Sequence, residues 1–203
     1  MGADWRAIVG MAAGGLALLS MVPYIASVLQ GKTRPSRISW AIWTLLALVL
    51  LVSYEGSGAS DTIWLPVAHF FVSLTIFILS LKFGVGGSSL FDWLCASGAA
   101  LAIATWLTLD SAPIALFICI AVDALGAIPT LRKSYQEPFS EDLRGWSIAA
   151  AASALNLAVV ADWSPHISLY PIYSFALTTV VSTTLYCRRK SAEIARAELA
   201  LPR

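Results

Sequence analysis

The chain has 203 residues, of which 58% are hydrophobic and only 12% are charged, and its formal net charge is +1. Soluble domains are about 45–50% apolar and about 25% charged, so this composition, with a mean hydropathy of +0.76, argues against a soluble enzyme, a nucleic-acid-binding domain and a disordered chain. Because a bilayer-spanning helix needs about 20 mainly apolar residues, the length allows at most about eight spans and no large soluble domain.

Seven stretches lack Asp, Glu, Lys and Arg, except that Asp123 interrupts one of them, and each is long enough to cross a bilayer. They cover residues 7–31, 38–54, 62–81, 93–109, 111–131, 145–161 and 163–187. In lipid, single segments must cross as helices, because their backbone groups need internal hydrogen-bond partners. We therefore predict an all-α membrane protein with seven transmembrane helices. The first is predicted to be a retained helix rather than a signal peptide.

The basic residues predict the orientation of these helices. Twelve of the thirteen Lys and Arg residues follow predicted helices 1, 3, 5 and 7, and only Arg6 falls on the opposite side. Cytoplasmic loops carry an excess of Lys and Arg. We therefore predict a multi-pass integral membrane protein with its N-terminus outside and its C-terminus in the cytoplasm.

Two parts of the chain repeat each other at an offset of 106 residues. The spacing from Pro23 to Trp40 equals the spacing from Pro129 to Trp146, and in both copies a basic loop lies between the two residues. Three helices reverse the chain, so a fourth is needed to make the copies parallel, as in transporters with parallel repeats. The predicted domains are a first three-helix repeat at 1–83, linker helix 4 at 84–110, a second three-helix repeat at 111–190 and an amphipathic cytoplasmic tail at 191–203.

The loops of both copies carry a recognisable signature. Residues 20–24 (SMVPY) and 31–40 (GKTRPSRISW) resemble the PQ-loop signature, and residues 123–130 (DALGAIPT), with Trp146 beyond them, resemble its second copy. The 3+1+3 arrangement with an outside N-terminus is similar to that of SWEET sugar transporters, PQ-loop transporters and nicotinamide-riboside transporters. This resemblance implies a transporter built from two three-helix repeats.

The chain departs from these families at several positions. Tyr24 and Thr130 stand where the signature has glutamine, and predicted helices 2 and 6 lack the prolines that SWEET proteins carry there. SWEET proteins bind sugar through asparagines on the third helix of each repeat, whereas Asn156 of this chain lies on predicted helix 6. The resemblance therefore implies the fold and transport, but it does not imply sugar as the substrate.

Asp123 is the only acidic residue that lies well inside a predicted helix. A charged side chain at that depth costs roughly 2.5–3.5 kcal/mol on insertion scales, so Asp123 should face the bundle interior, where burial favours its protonated form. We interpret it as a proton-coupling residue, a role that the resemblance supports because some PQ-loop transporters use a membrane acid in this way. A hydrogen-bonded structural Asp is the alternative.

Further residues are candidates for solute binding and for movement. Asn156 and His69 can each donate and accept hydrogen bonds at membrane depth, although interhelical packing would use the same groups. Pro23 and Pro129 each remove a backbone hydrogen bond and bend their helix, so we predict hinges, with static kinks as the alternative. The predicted solute-binding residues are Asn156, His69, Tyr173 and Ser174.

These features predict a membrane transporter of a small polar solute (a sugar, an amino acid or a vitamin precursor) that works by alternating access, with proton coupling left open. The alternative is a seven-helix receptor or regulatory membrane protein that binds a ligand without transporting it; a purely structural bundle also stays open. We expect no enzyme activity, because no catalytic constellation lies at membrane depth, and no cofactor, metal or nucleic acid. The expected partners are the solute and the lipid bilayer, and a homo-oligomer is left open.

Overall fold

A computed structural model describes residues 5–57, 63–86, 90–108 and 112–199. In these ranges the chain forms seven α-helices and one short 3₁₀ turn, and no strand, which confirms the predicted all-α fold. The helices are α1 (Trp5–Leu29), α2 (Arg37–Ser57), α3 (Trp64–Phe83), α4 (Leu90–Thr108), α5 (Ala112–Gln136), α6 (Leu143–Ala158) and α7 (Pro165–Leu199), with the 3₁₀ turn at Pro138–Ser140 before α6.

Each charge-free stretch of the sequence corresponds to one of these helices, and most ends differ by only a few residues. The largest difference is at α7, which continues without a break into the segment predicted to be a separate tail. Residues 191–199 are rich in Ala, Glu, Leu and Arg, which are strong helix formers, and contain neither Gly nor Pro. Nothing therefore ends the helix at Lys190, and residues 200–203 lie outside the described part.

Equivalent residues begin α2 and α6. The side chain of Asp142 accepts a hydrogen bond from the backbone N–H of Gly145 at 2.6 Å and caps α6. Ser36, which lies 106 residues earlier, accepts one from the backbone N–H of Ser39 at 3.3 Å, just before α2. A side-chain oxygen at this position satisfies an N–H that the first turn leaves unpaired. Gly31 lies between the end of α1 and the Ser36 cap. Its φ of 71° is a left-handed conformation, which is common just after the end of a helix.

The helices pack as two triples with the same internal contacts. In the first triple α3 packs against both α1 and α2, and in the second α7 packs against both α5 and α6. The triples meet where α1 contacts α6 and where α2 contacts α5. Because α1 is equivalent to α5 and α2 is equivalent to α6, exchanging the two triples turns each of these contacts into the other. α4 packs mainly on α5 and less extensively on α2. The packing therefore has the pattern of a two-fold relation, with α4 outside it.

Apolar side chains lie outside the bundle, and many polar ones lie inside. Among the described residues, two helices, α1 and α3, are long and apolar enough to cross a membrane, and 33% and 39% of their most apolar stretches are buried. Each of the seven helices exposes at least one large apolar residue. Examples in chain order, which are 37–69% exposed, are Leu19, Leu45, Phe71, Leu101, Leu125, Leu155 and Val180. Buried polar residues on the helices include Ser20, Thr44, Ser73, Thr130, Ser153 and Ser174.

Gly14 lets α1 approach the start of α3 closely. A Cβ atom added at Gly14 would lie 2.8 Å from the carbonyl oxygen of Trp64, whereas one added at Gly15 would have no atom within 4 Å. We expect Gly14→Ala to lower the free energy of unfolding by about 1–3 kcal/mol, as overpacking does. The measurement is thermal unfolding of the detergent-solubilised protein. The neighbouring Gly15→Ala is the matched control, and equal unfolding midpoints for the two variants would contradict this close contact.

Candidate functional site

A cavity of about 90 Å³ lies where the two triples meet, and α1, α2, α3, α5, α6 and α7 all contribute to its wall. A single water molecule needs roughly 10–15 Å³ on this measure, so the space holds several waters or a small solute. The wall combines aromatic rings with a few polar groups. The aromatic lining residues are Tyr24, Trp40, Trp43, Trp146, Tyr170 and Tyr173.

Asp123 faces this cavity from α5, and α7 supplies its partner. The hydroxyl of Tyr173 donates a hydrogen bond to Oδ2 of the carboxylate. Both residues line the cavity and both are half-buried. Tyr173 is neutral, so this hydrogen bond orients the carboxylate without balancing its charge. The structure thus brings together two residues that the sequence analysis proposed for different roles.

His69 connects the first triple to the second. Its Nδ1 atom lies 2.6 Å from the hydroxyl oxygen of Tyr170, and either group can be the donor, depending on the histidine tautomer. The two rings meet edge to face, with their centroids 6.2 Å apart. Both residues line the cavity, so this contact closes its wall between α3 and α7.

Ser174 also lines the cavity, but Asn156 does not. The Ser174 hydroxyl lies 3.2 Å from that of Ser153 on α6, and either can donate. Asn156, one turn further along α6, is completely buried, and neither of its amide atoms has a hydrogen-bond partner. A buried unpaired polar group costs about 1–3 kcal/mol, a cost that a buried water would relieve. Of the four predicted solute-binding residues, the structure therefore places three at the cavity.

The two predicted hinge prolines lie inside continuous helices, Pro23 in α1 and Pro129 in α5. Neither lines the cavity, although Tyr24, the residue after Pro23, does. Pro129 lies one turn before Lys133, whose role is described below. Both prolines are therefore close in sequence to residues near one end of the bundle. We call this the basic end and define it as the end formed by the loops at 30–36 and 137–142.

An aromatic layer closes the cavity toward the basic end. Tyr24, Trp40, Trp43 and Trp146 form a chain of rings with successive centroid distances of 5.4, 5.0 and 6.1 Å. Neighbouring planes meet at 64° to 86°, the edge-to-face geometry that aromatic pairs prefer. The indole Nε1 of Trp43 is buried and has no hydrogen-bond partner.

Beyond this layer lies Glu141, a residue that the sequence analysis did not select. Its side chain is only 2% exposed, and Oε1 forms an ion pair with Lys133 Nζ at 2.7 Å. Tyr24 and Trp146 both donate to Oε2 at 3.2 Å. Arg189 of α7 donates to the backbone oxygen of Glu141 at 2.5 Å. One loop residue therefore joins α1, α5, α6 and α7 at the basic end.

The lining residues define what the cavity can do chemically. Among the described residues, no group of three or more His, Cys, Asp or Glu side chains could hold a metal ion. The lining residues carry hydroxyls, the His69 imidazole, indole N–H groups and the carboxylate of Asp123. They can bind a solute through hydrogen bonds and one charge, and the carboxylate can carry a proton.

The Glu141 cluster gives a test of how the basic end is held. We expect Glu141→Gln to lower the free energy of unfolding by about 3 kcal/mol, because it leaves the largely buried Lys133 ammonium unpaired. Lys133→Met should cost less in the Glu141→Gln background than in the wild type, since the two residues interact. The measurement is a double-mutant cycle from denaturant unfolding in detergent. Glu137→Gln, at an exposed site in the same loop, is the control, and a Glu141→Gln protein as stable as this control would refute the ion pair's role.

Comparison with protein-family models, with curated proteins and with solved structures found no match to this chain. The likeness to PQ-loop and SWEET-type transporters stays a prediction carried by the residues quoted above. The function is therefore argued from the geometry of the cavity and of the bundle around it.

Proposed function

We propose that the protein is a multi-pass membrane transporter of a small polar solute, that it works by alternating access, and that it consists of two parallel three-helix repeats. Its seven helices cross the membrane with the N-terminus outside and the C-terminus in the cytoplasm. The motif residues 20–24, 31–40 and 123–130 support membership of the PQ-loop and SWEET-like superfamily.

The distribution of polarity supports the membrane location. Large exposed apolar side chains occur on every helix, while serine, threonine and asparagine side chains are buried between them. A soluble monomer rarely exposes an apolar patch larger than a few hundred Å², whereas lipid is a good solvent for such a surface. Helices α1 and α3 satisfy the length and hydropathy criteria for spanning by themselves. The location of twelve of thirteen basic residues on one side supports the orientation.

The observation that carries the transport proposal is the position of the cavity. It lies at the seam between the two triples, and every helix except α4 lines it. Transporters built from repeats bind their solute near the midplane at the repeat interface and move one repeat against the other. Two observations support the repeat itself. The α1–α6 and α2–α5 contacts are equivalent under the repeat, and Ser36 and Asp142 cap equivalent helices.

The basic end supplies a closure that such a cycle has to break. Tyr24 of the first triple donates to Glu141, and Lys133 of the second triple donates to the backbone oxygen of Arg34 at 2.6 Å. These two contacts hold the triples together beyond the aromatic layer. Bending at Pro23 and Pro129, which neighbour these contacts in sequence, would separate the triples and open the cavity toward the cytoplasm.

Asp123 supplies a site for the coupling proton. It is the charged residue of the described cavity wall, and its hydrogen bond with Tyr173 holds it in place. Its counterpart in the first repeat is Ala17, which also lines the cavity. The coupling site therefore belongs to one repeat only, and one proton can bind there in each cycle.

Transport can be tested with purified protein in proteoliposomes. We expect wild-type protein to exchange at least one member of a panel of radiolabelled sugars, amino acids and vitamin precursors, and a pH gradient to accelerate net uptake. Asp123→Asn should remove this acceleration, because the carboxylate that would carry the proton is lost while the shape of the cavity is kept. Glu193→Gln, at an exposed position of α7, is the control for loss of an acidic residue.

Two outcomes would contradict the proposal. A solute that binds the purified protein but is not exchanged by it would indicate the receptor alternative. Net uptake by Asp123→Asn that responds to a pH gradient as the wild type does would exclude Asp123 as the coupling residue.

A further inference from the structure

We propose that the cavity binds a small organic cation that also carries an oxygen acceptor, such as an amine or quaternary ammonium compound with a hydroxyl or carbonyl group. That this cation is the transported substrate rests on the proposed function, whereas its binding to the cavity does not. Three features of the cavity wall support it independently.

The first feature is the charge of the wall. Asp123 is the charged side chain among the described lining residues, and none of these residues is Lys or Arg. Its hydrogen-bond partner Tyr173 is neutral, so the carboxylate keeps an unbalanced negative charge whenever it is ionised. A buried charge is costly unless an opposite charge pairs with it. A cationic ligand supplies that charge, whereas an anionic ligand would be repelled.

The second feature is the aromatic layer. The rings of Tyr24, Trp40, Trp43 and Trp146 pack edge to face, and all four residues line the cavity at its end toward the basic loops. An organic cation within about 6 Å of a ring centroid is attracted by the negative face of the ring, and tryptophan attracts it most strongly. Aromatic cages of this kind recognise quaternary ammonium groups.

The third feature is the unpaired donor of Trp43. Its Nε1 is buried without a partner, although the residue lines the cavity. A Cβ added at Gly126, one turn after Asp123, would lie 3.6 Å from this nitrogen, so the donor lies against α5, one turn from the carboxylate. A simple cation cannot accept a hydrogen bond. An oxygen on the same ligand would satisfy the indole N–H while the cationic group pairs with Asp123.

The same carboxylate then explains coupling. Protonated Asp123 is neutral and cannot balance a cation, whereas ionised Asp123 can. One cation and one proton therefore compete for one site, and a full cycle exchanges them in opposite directions without net charge transfer. No additional group is needed for this exchange, because the proton lost on one side of the membrane is the proton gained on the other.

The test uses the purified full chain in detergent and measures binding by calorimetry and thermal shift. The probes are choline and its neutral isostere 3,3-dimethyl-1-butanol, which has carbon in place of nitrogen and the same hydroxyl. We expect choline to bind at least tenfold more tightly than the isostere to wild-type protein. Asp123→Asn should lose at least tenfold in choline affinity, and the control Glu193→Gln should lose none.

A second variant tests the acceptor and keeps the proposal falsifiable if Asp123→Asn does not fold. Trp43→Phe retains an aromatic ring but removes the N–H donor. We expect it to weaken the binding of choline several-fold and to leave the binding of tetramethylammonium, which has no oxygen, nearly unchanged. Equal losses for the two cations would overturn the assignment of Trp43 as the donor to the ligand.

The outcomes separate this inference from the proposed function. Equal affinities for choline and its isostere, or unchanged choline binding in Asp123→Asn, would overturn the cation site. Choline that binds as expected but does not cross proteoliposome membranes would support the site and contradict transport. Transport of a neutral solute by protein that neither binds choline nor is inhibited by it would support transport and overturn the cation site.

Discussion

The closed basic end depends on the contacts that the carboxylate of Glu141 makes. Its two oxygens receive Lys133 from α5, Tyr24 from α1 and Trp146 from α6, while Arg189 of α7 binds its backbone oxygen. A buried carboxylate needs this many partners, because its desolvation is offset only by an opposite charge and good hydrogen bonds. Tyr24 and Trp146 also belong to the aromatic layer that closes the cavity toward the basic end. This one loop side chain therefore helps to position that layer.

The two triples are similar in outline but not in chemistry. Their helices pack in the same pattern, and Ser36 and Asp142 cap equivalent helices. Asp123 and Glu141 nevertheless both belong to the second triple, and their counterparts in the first are Ala17 and Pro35. The first triple supplies mainly aromatic and apolar wall, and the second supplies the charges. In the proposed transport cycle, such a division would let the shared architecture provide the movement while the second copy carries the proton.

The sequence was sufficient to predict the helices and only part of the site. Charge-free stretches indicate helices because an apolar helix excludes charges along its whole length, and Asp123 stood out for the same reason. The position of Asn156 was harder to predict. Ten residues after Trp146 give its depth, but ten residues also rotate the side chain by about 1000°, which leaves it roughly 80° away from the face that Trp146 presents to the cavity. Glu141 could not be selected, because a loop carboxylate is ordinarily solvated, and only the tertiary fold brings its partners to it.

The contrast between the carboxylates of Glu141 and Asp123 explains why one is structural and the other is suited to the proposed function. Glu141 has a lysine as its partner, so its charge is balanced in the folded protein and a further cation would gain little there. Among the described residues, Asp123 has only the hydroxyl of Tyr173 as its partner, which orients the carboxylate and leaves its charge unbalanced. In the proposed membrane setting an unbalanced charge would be unstable, and a proton or a cation bound to Asp123 would balance it. The carboxylate that lacks a charged partner is therefore the one suited to the proposed coupling.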